Sequence, residues 1–208
     1  MSEQHAEREQ RVTPLELFFD LVFVFAFTQV TTVLSDDPTW GGLGHGLLIL
    51  AALWWAWAAY AWLTNTVDPD GGGVWGAMLV AMAAMFVAAL AVPDTFGRHG
   101  VVFGIAFLIV NVMYLTLYAL RARGDRELLT AIVRSAPSAL AGAALIIGAG
   151  FVHGGLRPVL WLVALVVPAL AALALVAAVW VALHAYEIIW WREARARTRA
   201  QRVPASAS

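Results

Sequence analysis

The 208-residue chain contains no cysteine and no lysine, and only 13% of it is charged. The first absence excludes disulfides and thiolate metal sites. The second leaves arginine as the source of all 13 basic residues, a bias that reads as genomic base composition and not as mechanism. Fourteen acidic residues stand against them, so the basic excess on which nucleic-acid binding depends is missing. No phosphate-binding glycine loop, nucleophile elbow or HExxH motif is present. The run Gly71-Gly72-Gly73 follows an apolar segment and reads as a turn. His5, His45, His99 and His153 are not joined by ligand spacing. No cofactor, metal or enzymatic activity is therefore expected. Residues 1–13 are polar and lack a small-residue cleavage site, so they read as a tail and not as a signal peptide.

What the chain has in quantity is apolar side chain. It is 62% hydrophobic, with a mean hydropathy of +0.77, whereas a soluble domain is about a quarter charged. This is the composition of an integral membrane protein. Six apolar segments are predicted as spans, at 14–34, 44–64, 74–92, 101–120, 128–151 and 159–191. Each of the first five is long enough to cross about 30 Å of hydrocarbon. Turn chemistry separates them: Asp36-Asp37-Pro38, Asp68-Pro69-Asp70, Pro93-Asp94, Arg123-Gly124-Asp125 and Gly154-Gly155. The sixth is overlong, about 50 Å as one helix, so either Pro168 kinks it or it projects beyond the inner face. It closes on Trp190-Trp191-Arg192, an interfacial anchor followed by a basic tail over 192–208.

Arginine placement predicts the orientation. With the amino terminus inside, the cytoplasmic face collects Arg8, Arg11, Arg121, Arg123, Arg126, Arg134, Arg192, Arg195, Arg197, Arg199 and Arg202, and the outer face keeps Arg98 and Arg157. That asymmetry predicts both termini in the cytoplasm and an even number of crossings. The expected fold is an all-α bundle of six transmembrane helices over 14–191, multi-pass in the bacterial cytoplasmic membrane.

The run Glu16-Leu17-Phe18-Phe19-Asp20-Leu21-Val22-Phe23 resembles the first-helix signature of the bacterial low temperature requirement A family. Trp54-Trp55-Ala56-Trp57, the stretch Thr64-Asn65 to Asp68-Pro69-Asp70, and the closing Leu183-His184-Ala185-Tyr186-Glu187 are similar to other parts of it. The resemblance implies a polytopic membrane protein whose biochemical activity is not established. It also implies a departure. Typical members are nearly twice as long and carry a second helix with a Glu motif, which this chain lacks. The first-half pattern runs into the closing helix around 167–173, as if fused across a missing half. If activity needs both halves, the chain requires self-association.

Chemistry is sought among the polar residues inside the spans, because ionisable groups there are costly and tend to be functional. Thr13, Pro14 and Glu16 match a capping box with proline at N1. Asp20 lies beyond the turn that capping explains, so it is read either as an ion or proton site or as half of an interhelical salt bridge. Its expected partner is Arg134, about as deep in span five as Asp20 is in span one; the alternative is that Arg134 snorkels to the interface. His184 and Glu187 share a helix face and form either a pH-sensitive pair or an interfacial polar pair. Asn65 and Asp68 close span two. Asn111, in mid-span, is expected to make an interhelical hydrogen bond. Gly142, Gly148 and Gly150 are expected to permit close helix approach.

These readings place a polar cluster of Glu16, Asp20, Arg134, His184 and Glu187 in the inner half, with Asn65 and Asp68 near it. The expected function is ion- or proton-coupled transport or conduction at Asp20 and Arg134. The alternative is a scaffold, or half-protein, whose cluster only locks helices. The expected partners are the lipid bilayer, a small cation or proton, and a second copy of the chain.

Overall fold

A computed structural model describes residues 14–64, 72–122 and 126–170. The chain divides into two compact units, Met1–Pro168 and Ala169–Ser208, and nearly all described residues belong to the first. Their regular structure is entirely helical: α1 (Pro14–Asp36), α2 (Trp40–Thr64), α3 (Gly72–Ala91), a 3-10 turn (Val92–Asp94), α4 (Gly100–Arg121), α5 (Arg126–Phe151) and α6 (Leu156–Leu170). The first five are long and apolar enough to cross a membrane, which makes this a polytopic helical membrane protein. Of the predicted sixth span only the start is described; it begins three residues early, at Leu156, and contains Pro168. The two predicted tails, 1–13 and 192–208, lie outside the described residues.

The helix ends have local causes. α2 starts at Trp40, four residues before the predicted span, because Thr39 caps it: its Oγ1 accepts the Gly42 N–H at 3.2 Å and donates to Asp37 Oδ1 at 2.6 Å. Pro38 stops α1, and the short connection makes α1 and α2 antiparallel neighbours. The turn after α5 depends on Gly154, which adopts a φ of +77°.

α1 packs on α2 and α3, α3 on α4, and α4 on α5, with α2 also reaching α4. In lipid the hydrophobic drive between helices is lost, and close packing takes its place. α4 and α5 meet at glycine. A Cβ on Gly104 would lie 2.9 Å from the Ile147 backbone, and one on Gly150 would lie 2.8 Å from the Val101 nitrogen. A Cβ on Gly142 would lie 2.8 Å from the Ala164 carbonyl oxygen of α6. Gly148 differs from the expectation: its position opens on empty space and supports no contact. Phe23, Leu53, Tyr60, Met82, Met85, Phe103 and Trp161 fill the centre. Large apolar side chains such as Leu21, Trp54, Leu90 and Val133 point outward, as lipid contact requires.

Candidate functional site around Asp20

Asp20 lies on the second turn of α1, on the outward face that also carries Val24 and Thr31. Its Oδ1 accepts a hydrogen bond from Trp57 Nε1 of α2 at 3.3 Å, a long bond for an N–H donor. Trp57 is held from behind by Trp54, with ring centroids 5.1 Å apart. The arrangement gives the carboxylate one neutral donor and leaves most of its acceptor capacity open. Several other polar side chains of these helices are satisfied on their own helix. Thr28, Thr31, Thr116 and Thr130 each donate to a carbonyl three or four residues back. Among the described residues, Asp20 is the carboxylate that sits within a span and not at its end.

The expected ion pair between Asp20 and Arg134 is not formed. The salt bridge found among the described residues is His99–Asp94, at 3.3 Å. Arg134 is exposed on α5. The reason is helix order: α5 lies along α4, whereas α1 lies along α2 and α3. Equal depth therefore did not bring the two side chains together within one chain. Asn111 also departs from expectation, since its Nδ2 donates to Phe107 O of its own helix at 2.8 Å and not across helices. The side chain of Glu16 lies outside the described residues, as do Asn65, Asp68, His184 and Glu187. Among the described residues no three His, Asp or Glu side chains gather as a metal site.

Three features had not been singled out. One turn beyond Trp57, Tyr60 is fully buried and donates its hydroxyl to Val110 O of α4 at 2.7 Å. Its ring packs against Phe19 (5.2 Å) and Tyr114 (5.8 Å), and Tyr114 leads on to Tyr118 (5.8 Å). Asp20 thus borders an aromatic core that joins α1, α2 and α4. The second feature is Arg157, read from the sequence as an outer-loop charge. It is buried and carbonyls surround it: Nε donates to Ala149 O (2.9 Å) and Val152 O (2.8 Å), Nη1 to Phe96 O and Gly97 O, and Nη2 to Gly150 O. It caps the carboxyl end of α5, where a cation suits the helix dipole, and ties that end to the α3–α4 turn. The third is the turn itself, where Asp94 accepts the Arg98 N–H and pairs with His99, while His45 of α2 stacks on Phe96 at 4.0 Å. The two glycines before Arg157 mark a turn, but nothing in sequence marks a guanidinium whose partners are backbone.

The sequence matches the family described as bacterial low temperature requirement A protein (LtrA) over residues 11–200. It is also similar to an uncharacterized protein of Rhizobium meliloti (strain 1021), 36% identical over 154 residues. That match takes in 73% of this chain and 37% of the relative, so the chain spans well under half the relative's length. No solved structure matches. A membrane-spanning helical bundle whose first helix carries Glu16 and Asp20, matched from residue 11 to residue 200, belongs to the bacterial low temperature requirement A family.

Proposed function

We propose that this protein moves a proton or small cation across the bacterial cytoplasmic membrane, with Asp20 as the group that accepts it and without catalysing a covalent reaction. The observation that carries the reading is the setting of Asp20: a carboxylate inside an apolar span, held by a neutral indole N–H and not neutralised by a cation. A carboxylate at membrane depth most often serves a wetted path or a partner. Trp57 orients one oxygen, and the other is available to the incoming ion. Arg134 enters as a second charge at similar depth and not as an intramolecular counter-ion.

The test is ion flux in proteoliposomes across protons, Na⁺, K⁺ and small anions, comparing wild type with Asp20→Asn. The variant is expected to lose flux of one cation. Equal flux from the two proteins overturns the reading.

One observation favours a second, structural reading: the Asp20–Trp57 hydrogen bond joins α1 to α2. A scaffold of this kind predicts a lower melting temperature for Asp20→Asn and for Trp57→Phe, with flux unchanged in both.

A further inference from the structure

Asp20 and Arg134 carry opposite charges, lie within spans and do not meet. Asp20 is three residues past the start of its span at Leu17, and Arg134 two past Ile132. Counted from the helix starts at Pro14 and Arg126, they lie about 9 and 12 Å along α1 and α5 at the rise of an α-helix. Both helices enter from the same side, because three crossings, α2 to α4, lie between α1 and α5. Each charge stands in an apolar surround that faces out of the bundle: Leu17, Phe18 and Leu21 beside Asp20, Leu129 and Val133 beside Arg134. An unpaired charge on a lipid-facing surface is costly, and charged residues in membranes almost always find a partner.

We propose that a second copy of this chain supplies that partner, so that Asp20 of each protomer meets Arg134 of the other. Two copies inserted in the same sense are related by a two-fold axis along the membrane normal. Such an axis keeps every residue at its own depth and makes the contact self-complementary. Only side chains at equal depth can pair across it, and these two satisfy that condition. Arginine suits the role, because its fork can hold a carboxylate through two parallel hydrogen bonds, and Trp57 already orients the other member. The proposal rests on Asp20 as the site named above: within one chain the carboxylate has no counter-charge among the described residues, and Arg134 of the second copy is the one that an incoming cation displaces.

The test separates the two protomers by charge. A chain with Asp20→Arg and a chain with Arg134→Asp each oppose like charges when paired with themselves. Mixed together, they restore both ion pairs. With two affinity tags, co-purification from mild detergent is expected to fall about tenfold for each variant with itself and to recover in the mixture. Undiminished self-association, or a mixture that fails to recover, overturns the proposal. If either variant does not insert, the charge-intact chains decide. Since the protein has no cysteine, Leu17→Cys on one tagged copy and Val133→Cys on the other are expected to cross-link through a bifunctional thiol reagent. Monomers alone overturn the proposal. Ion flux plays no part in these measurements, so a dimer without transport and transport without this dimer are told apart.

Discussion

Among single residues, Arg157 carries a definite energetic prediction. Its guanidinium donates to five carbonyl oxygens, and hydrogen bonds to charged groups are each worth more than neutral ones. Arg157→Ala is expected to lower stability by roughly 2–3 kcal/mol, read as a fall in melting temperature in detergent. Arg157→Lys is expected to recover little, because an ammonium cannot reproduce the fork. A wild-type melting curve for the alanine variant would remove the clasp from the account. Tyr60→Phe keeps the ring against Phe19 and Tyr114 but deletes the bond to Val110 O, and about 1 kcal/mol is expected to go with it. Asp20 was legible at this scale because a charge in an apolar run stands out. Trp57 was not, since it is one of four nearby tryptophans and indole N–H donors all look alike in sequence. The carbonyl partners of Arg157 were missed for a related reason: carbonyl oxygens belong to every residue and leave no letter behind.

At the level of the element, glycine decides how closely helices approach. Gly104→Ala would press a methyl group on the Ile147 backbone, and backbone cannot swing aside. A destabilisation of about 1–3 kcal/mol is expected. Gly148→Ala meets nothing within 4 Å and is expected to be neutral or to stabilise α5 by up to about 1 kcal/mol through helix propensity. Equal melting temperatures for the two variants would show that the α4–α5 contact does not depend on Gly104. The first five helices were readable because an apolar run of bilayer length has few alternatives. Their ends were less so. The start of α2 was missed because the Thr39 cap that sets it is a matter of side-chain geometry.

For the whole molecule, the arginine asymmetry predicts which side of the membrane each loop faces. The cysteine-free background permits a direct test with single introduced thiols. Pro38→Cys and Arg98→Cys are expected to react with a membrane-impermeant reagent added to intact cells, and Asp125→Cys only after lysis. The reverse pattern would invert the orientation. What could not be read from sequence at this scale is the neighbour relation between helices. Depth along the normal follows from counting residues, whereas position in the plane follows from packing, and α5 chose α4. The mispairing of Asp20 with Arg134 inside one chain came from that gap.

The cation at position 157 has a mechanical consequence. By gripping the carbonyls at the end of α5 and those of the turn between α3 and α4, it rivets three helices together at one rim of the bundle. Asp20 and Trp57, towards the other ends of α1 and α2, touch through a single long bond. Sliding or tilting α3, α4 or α5 at the riveted rim therefore means breaking hydrogen bonds to a charged donor, which holds the register of those three helices there.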